Sequence, residues 1–324
     1  MNNFTLSLLE QQIKSSPQAI LLTHQDPDED AQGAIMALRE LMLRWGGNPT
    51  VCLAGKIDQN FEKKMGKISP PDKIELNKFG TAVVVDTLNL SSTGVVFPKD
   101  LSKAPKTFII DHHLQKENFF FPENFKTIVR SKATASCEII YDLIKEKGEE
   151  ISSTMAFNLL LGIYADSGGF SHSNTTSSLL KKSKELLKKG VIFKNVIHSA
   201  FKGKQIRVLN FWGEKIKNSY YNPELGFISS WLTKKEVEKK NISPEEISGL
   251  VNLLNMCQEA KFSLFLREEA DGKIKGSLRS SENKNMNVNS LSHFLGGGGH
   301  RLAAGFEVEG KFVEKDGKIT IKPL

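Results

Sequence analysis

Apolar residues fall into two alternating patterns along the first half of the chain. Ala19 to Thr23 (AILLT), Thr50 to Ala54 (TVCLA), Thr81 to Val85 (TAVVV) and Thr107 to Ile110 (TFII) are short apolar runs of strand length. After the first of them, Ala34, Ile35, Leu38, Leu41, Met42 and Trp45 recur at three- and four-residue spacing, which predicts one helix face. Gly46-Gly47 ends that pattern, as glycine does after a last helical turn. Ser136 to Lys147 and Thr154 to Tyr164 also read as helices. The alternation predicts an α/β fold, a mainly parallel sheet with helices on both faces. Residues 179–190 (LLKKSKELLKKG) form a lysine-rich amphipathic helix, better read as a solvated face than as a phosphate-binding stripe. Val191 to Gln205 reads as a connection into a helix ending near Tyr220-Tyr221. From Leu225 the pattern restarts with strand GFISSWLT, a helix over 244–257 and strands KFSLFLRE and KIKGSLRS. That is a second, smaller α/β domain. The expected organisation is therefore 1–190, a connecting stretch 191–221, and 222–324, with no internal repeat.

A length of 324 residues leaves room for about two domains at the usual ~150 each. The hydrophobic and charged fractions, 39% and 25%, exclude collagen-like, wholly disordered and coiled-coil chains. Lys and Arg outnumber Asp and Glu 44 to 37, and the net charge of +7 favours anionic partners without choosing among them. Cys52, Cys137 and Cys257 lie far apart with no C-x-x-C pair, so neither a disulfide framework nor a structural zinc site is expected. The N-terminus lacks a basic start followed by an apolar core, and no apolar run approaches the ~18 residues of a membrane span. The expectation is a cytoplasmic chain with no membrane engagement. No obligate protein partner is evident, and a homodimer is left open.

The informative residues stand just after the predicted strands. AILLT runs into His24, Asp28 and Asp30, TAVVV into Asp86, and TFII into Asp111, His112 and His113. A helix ending at Tyr164 leads to Asp166 in a Gly-rich loop. Open α/β sheets bind ligands beyond the carboxyl ends of their strands. Singly, each residue has a plainer reading: His24 or Asp28 and Asp30 as caps of the next helix, Asp86 and Asp166 as turn residues. Together they would crowd like charges that raise one another's pKa, and divalent cations remove that conflict. Asp oxygen and His nitrogen without thiolate suit Mn²⁺, or Mg²⁺, better than structural zinc. Six candidates, His24, Asp28, Asp30, Asp86, His112 and Asp166, suit two ions sharing a carboxylate, the clamp used for displacement at phosphorus. In the second half, Gly296 to Gly299 lie between apolar HFL and AAGF. They read as a shaped turn whose successive N–H groups form an anion-binding nest, with Arg279 and His300 adding charge.

The segment THQDPDEDAQGA resembles the opening motif H-x-x-P-D-x-D-A-x-G of the DHH phosphoesterases. VVVD ending at Asp86 looks like their second motif, Asp111-His112-His113 is the motif that names them, and ADSGGF with Asp166 resembles the fourth. SLRS followed by NVNSLSHFLGGGGHRLAAGF closely resembles the DHH-associated C-terminal domain and its GGGGH signature. The resemblance covers nearly the whole chain in order. It implies His24, Asp28 and Asp86 as ligands of one Mn²⁺, and Asp30, Asp86, His112 and Asp166 as ligands of a second. Asp86 then bridges the ions. Asp111 orients imidazole, and His113 stays off the metal, facing the scissile phosphate or the leaving oxygen. The nucleophile is a hydroxide bridging the ions. Arg279, Gly297, Gly298, Gly299 and His300 hold the substrate's terminal nucleotide, with catalysis in the cleft between the domains. The implied activity is that of the nanoRNase branch, removal of mononucleotides from short single-stranded oligonucleotides or linear dinucleotides such as pApA. Alternatives are a pAp 3′-phosphatase, a cyclic dinucleotide phosphodiesterase and a non-catalytic nucleotide-binding regulator. Some positions depart from the pattern: Ser171 and His172 stand where arginine and an aromatic residue are usual, and Glu29 where glycine is common.

Overall fold

Strand β1 (Gln18–Leu22) is apolar on both faces: Ala19 and Leu21 enter one core, Ile20 and Leu22 another. That is the mark of a strand buried inside a parallel sheet, and β4 (Thr81–Val85) and β5 (Lys106–Asp111) share it. With β2 (Asn48–Cys52), β3 (Ile68–Ser69) and β6 (Phe125–Val129) they form a six-stranded sheet of order β3-β2-β1-β4-β5-β6, parallel at every pairing. The computed structural model describes residues 4–55, 68–113, 120–200, 206–240, 242, 247, 249–269, 272–299, 301–315 and 318–322.

One face of this sheet is covered by α1 (Leu6–Ser15), α2 (Glu29–Arg44), α3 (Ser136–Lys147) and α4 (Ser153–Asp166). Side-chain oxygens start three of them in the usual way: Thr5 caps α1, Asp28 caps α2 and Ser152 caps α4. The other face meets short 3₁₀ turns and loops among the described residues, through Leu76, Leu88, Val95 and Ala104. Helices α5 (Ser177–Leu187) and α6 (Phe193–Ala200) come next along the chain. Chain order reverses between β1 and β4, so the carboxyl ends of β1, β4 and β5 lie side by side where such sheets bind ligands.

The chain divides into two compact units, Met1–Lys202 and Gly203–Leu324. The second contains α7 (Ile206–Lys217), β7 (Tyr220–Asn222), β8 (Phe227–Leu232), α8 (Lys234–Lys240), α9 (Leu250–Leu254), β9 (Phe262–Glu268), β10 (Lys273–Arg279), α10 (Val288–Phe294), β11 (Gly298–Gly299) and β12 (Ala303–Glu309). Its six-stranded sheet runs β11-β12-β10-β9-β8-β7, parallel only between β8 and β9. A hairpin of β13 (Lys311–Lys315) and β14 (Lys318–Lys322) forms a separate two-stranded sheet.

Three element expectations are corrected. The connection at Val191 to Gln205 contains α6, a two-turn helix anchored by Val196 in the core and by Phe193 edge-on to Tyr164 at 5.6 Å. Two anchors are too few to show a period in sequence. The helix expected to end near Tyr220-Tyr221 stops at Lys217, because Tyr220–Asn222 turns back to pair with Phe227–Ser229. Within 244–257, helix is described at Ile247 and again in α9; Gly249 between them takes φ 94°, which breaks a continuous helix there. No described helix is long and apolar enough to cross a membrane.

Candidate metal centre

His24 comes just after β1, and its ring is fixed by the local backbone. Nδ1 lies 2.8 Å from the carbonyl oxygen of Gln25, so Nδ1–H donates there and the Nε2 lone pair is left for a metal or a proton. Nε2 faces Asp86 Oδ2 at 3.4 Å. Asp86, just after β4, has a left-handed backbone (φ 61°), and its N–H donates to the carbonyl of Ile110 on β5 at 2.8 Å. That conformation is uncommon for a residue with a side chain, though Asp and Asn tolerate it best. It is a local strain of the kind that gathers at functional sites.

From β5 come the remaining imidazoles. His112 Nε2 lies 3.4 Å from Asp86 Oδ1, 3.3 Å from Asp166 Oδ2 and 4.0 Å from Asp30 Oδ2. His113 instead turns its Nδ1 to Asp111 Oδ1 at 2.7 Å, and its own N–H donates to the same oxygen at 3.1 Å. Asp111 is buried, and it therefore orients His113.

Two helix ends supply the other carboxylates. Asp28 Oδ1 accepts the N–H groups of Asp30 and Ala31, so it caps α2 and also stands beside His24 and Asp86. The capping reading and the ligand reading are compatible, since a carboxylate has two oxygens. Asp30 is fully buried and accepts the Ser136 N–H on Oδ2 at 2.6 Å and the Cys137 N–H on Oδ1 at 2.9 Å, both from the start of α3. Asp166 ends α4, and the side-chain amide of Asn174 donates to its carbonyl at 3.1 Å. Gly168, Gly169 and Phe170 then take three successive left-handed conformations.

Among the described residues, three groups have ligand atoms within 4.8 Å of one another: His24, Asp28 and Asp86; Asp30, His112 and Asp166; and Asp86, His112 and His113. In the third, His113 Nδ1 is already engaged with Asp111. All six candidate ligands thus converge, and Asp86 turns one oxygen toward each of the first two groups.

The electrostatics show what this cluster lacks. Burial and the charge of Asp86 push Asp30 up to about 7, and burial with Asp30 and Asp28 carries Asp166 well above the carboxylate range. At Asp86 burial opposes ionisation, yet hydrogen bonds from His112 and His24 outweigh it and hold the group well below its usual value. The Asp86 hydrogen bond lifts His24 to about 9 against desolvation. At His112 desolvation is outweighed by Asp86, Asp30 and Asp166, and the ring is pushed up to about 10. The raised groups, Asp30, Asp166, His24 and His112, all favour added positive charge, while Asp86 keeps its negative charge. Hard oxygen donors with imidazole nitrogen, and no cysteine in these groups among the described residues, fit a divalent cation of the Mn²⁺ or Mg²⁺ kind; the nearby Cys137 is kept a thiol by burial.

Sequence reasoning missed Ser136, whose hydroxyl donates to Asp86 Oδ1 at 3.0 Å. A serine opening a helix carries no sign of such a contact 50 residues away. Gly33 and Gly162 were also unread as site-makers, although Gly33 closes the first motif. A Cβ on Gly33 would meet the Asn158 carbonyl oxygen at 2.4 Å, and one on Gly162 would meet Asp30 Oδ1 at 2.7 Å. The close approach of α2 and α4 at these glycines accompanies the meeting of Asp30 and Asp166 around His112.

In the second unit, Arg279 ends β10 half-buried. Its guanidinium donates to the Leu278 carbonyl at 2.9 Å, has no carboxylate partner among the described residues, and has its pKa lowered by desolvation. The nest expected at the glycine run is corrected in part. Gly296 N–H donates to His293 and Gly297 N–H to Ser292, closing the end of α10, so neither is available to an anion. Gly298 and Gly299 form β11 and pair with Gly305 and Ala304. Crowding explains two of these glycines: a Cβ on Gly297 would meet the Gly305 oxygen at 2.2 Å, and one on Gly299 the Ala304 Cα at 2.5 Å. His300 lies outside the described residues. Ser171 donates its hydroxyl to the Gly168 carbonyl at 2.5 Å, and the His172 ring packs over Gly168.

Known proteins resemble this chain at the level of both domains. Residues 18–163 match the DHH family, N-terminal domain, and residues 226–318 match the DHHA1 domain. The bifunctional oligoribonuclease and PAP phosphatase NrnA of Mycoplasma genitalium is 27% identical over 301 residues, which cover 92% of this chain and 91% of that protein. Among solved structures, an exopolyphosphatase-related protein from Bacteroides fragilis aligns with a TM-score of 0.78 and 23% identity over 94% of this chain and 91% of its own. RecJ from Thermus thermophilus in complex with Mn²⁺ aligns with a TM-score of 0.52 and 12% identity, over 94% of this chain and 51% of its own. The last two are likenesses of fold.

Proposed function

The chain belongs to the DHH family, carrying its N-terminal domain followed by a DHHA1 domain, and from that premise we propose that it is a Mn²⁺-dependent phosphodiesterase of very short nucleic acids. Its substrates are short single-stranded oligonucleotides and linear dinucleotides such as pApA, and its products are mononucleotides. The observation that carries this reading is the position of Asp86, one oxygen toward His24 and the other toward His112, as a carboxylate shared by two cations must stand. The relative named as an oligoribonuclease and PAP phosphatase, similar over nearly the whole chain, supports the substrate class.

In this proposal His24, Asp28 and Asp86 hold one cation and Asp30, Asp86, His112 and Asp166 the second. Such a pair, when bound, offsets the carboxylates, polarises the phosphoryl group and makes water acidic enough to attack it near neutral pH. The chain's own groups do the rest. Asp111 receives Nδ1–H of His113 and so aims Nε2 outward, the atom from which a proton reaches the departing oxygen. Arg279, whose guanidinium has no carboxylate partner among the described residues and is suited to forked phosphate contact, holds the terminal nucleotide together with Gly298, Gly299 and His300. Residues 1–190 supply the chemistry and 222–324 the grip; of the stretch 191–221 expected as a connection, α6 packs into the first unit and α7 and β7 into the second.

A second activity on pAp has support in the name of the same relative. Purified protein given pApA, pAp and cyclic di-AMP in parallel with Mn²⁺ tests the assignment. Release of AMP from pApA is expected to be fastest. Turnover of pAp or the cyclic dinucleotide alone would overturn the substrate and point to Ser171 and His172, the positions that depart from the family pattern.

A further inference from the structure

Ser136 is wholly buried at the first position of α3, and it touches both halves of the metal centre. Its backbone N–H donates to Asp30 Oδ2 at 2.6 Å, while its hydroxyl donates to Asp86 Oδ1 at 3.0 Å. The neighbouring Cys137 N–H takes the other oxygen of Asp30 at 2.9 Å. Asp30 is therefore held by the backbone of α3 and by that helix's positive end, whatever side chain stands at position 136.

Asp86 is held differently. The groups near its carboxylate are His24, at 3.4 Å from Oδ2, and His112 and His113, at 3.4 and 3.8 Å from Oδ1. His24 and His112 turn their lone pairs to cations once these bind, and His113 is committed to Asp111 at 2.7 Å. Among the described residues, the Ser136 hydroxyl is the one side-chain donor to Asp86 that does not belong to the proposed ligand set. It fixes Oδ1, the oxygen on the side of His112, and it leaves Oδ2, the oxygen on the side of His24, alone. Without the hydroxyl, Oδ1 loses its one fixed side-chain donor among the described residues, while Oδ2 keeps the surroundings it had, so the loss falls first on the His112 side.

We infer that Ser136 is a positioning residue: its hydroxyl locks the shared carboxylate of Asp86 so that the second cation, at Asp30, His112 and Asp166, binds with the first. The inference rests on the two-cation reading given above. It concerns the order and affinity of metal binding, and it can be read without any substrate.

The test is Mn²⁺ binding to the full chain, by calorimetric titration and by electron paramagnetic resonance, for wild type, Ser136→Ala and Ser136→Thr. Ser136→Ala removes the hydroxyl and retains the backbone N–H on Asp30. Partners that orient metal ligands are worth about 10–100-fold in affinity. The second Mn²⁺ is expected to bind Ser136→Ala weaker by roughly that factor, with the first changed by less than about threefold. The exchange-coupled signal of a Mn²⁺ pair should fade at a concentration that saturates wild type, and Ser136→Thr should restore it. Ser136→Gly, which lacks the same hydroxyl, replaces the alanine variant if that chain does not fold. Two equally tight ions and an undiminished coupled signal in the hydroxyl-free variant would overturn the inference. A wild-type chain that binds only one ion, or none, would overturn the two-cation reading and the inference with it, a result plainly different from the first.

Discussion

At the scale of the residue, Asp86 combines an acid that two cation groups need with a backbone conformation that few residues accept. The two demands can be separated. Asparagine shares the tolerance for φ near 60° and lacks the charge. Asp86→Asn is expected to melt within a few degrees of wild type yet lose more than ~100-fold in turnover of pApA. Asp86→Ala should lose the same activity and also stability, about 1 kcal/mol from the left-handed backbone. Thermal melts and steady-state rates on the two variants check this, and an asparagine variant that turns over normally would remove Asp86 from the centre. Arg279→Ala should raise KM for pApA with a smaller change in kcat, because a phosphate contact distant from the reacting bond is made equally in ground and transition states. Loss of kcat with KM untouched would instead place the guanidinium on the reacting phosphate. At this scale the sequence was readable where chemistry-bearing residues stand at or just after the carboxyl ends of strands: His24, Asp86, Asp111 and His112 need only the rule about those ends. Ser136 was invisible because its partners are 50 and 106 residues away in sequence. The glycine run was visible, but its physics is partly steric: Gly297 and Gly299 have no room for a Cβ, and two of the four N–H groups close a helix.

At the scale of the element, the site depends on how closely α2 and α4 approach. Gly33 meets the backbone of Asn158, and Gly162 meets Asp30 and Cys137, so neither helix tolerates a methyl at the contact. Gly162→Ala would place its Cβ 2.5 Å from Cys137 Sγ and 2.9 Å from the Asp30 Cα. The expected cost is about 1–3 kcal/mol in denaturant unfolding, as for other overpacked cores. Because Asp30 must move, Mn²⁺ affinity should fall as well, which a titration on the same variant measures. A variant with lowered stability and unaltered Mn²⁺ binding would show that the helix spacing does not govern the cluster. The central strands were legible because burial on both faces makes them continuous apolar runs. Edge strand β6 was not, since Lys126 and Thr127 interrupt it, and α6 was not, since one turn of contact gives no period. Gly249 marked the break in the 244–257 pattern only once its backbone angle was known.

At the scale of the whole molecule, cations that bind the folded chain and not the unfolded one must stabilise it. Mn²⁺ at a hundredfold over its dissociation constant is worth about 2.7 kcal/mol per site, so the melting temperature should rise on adding Mn²⁺ and fall again on chelation. An unmoved melting curve would contradict the metal centre independently of any assay. The net charge of +7 suits anionic substrates, but it does not distinguish a dinucleotide from a long strand, and composition was mute on that point. The most direct test of the central claim is therefore mononucleotide release from linear pApA by the purified full chain, with Mn²⁺ and after its chelation, beside a long single-stranded RNA under the same conditions. The account predicts Mn²⁺-dependent release of AMP from pApA, abolished by the chelator, with the long RNA left intact. Release that persists without metal, or degradation of the long RNA in preference to pApA, would contradict it.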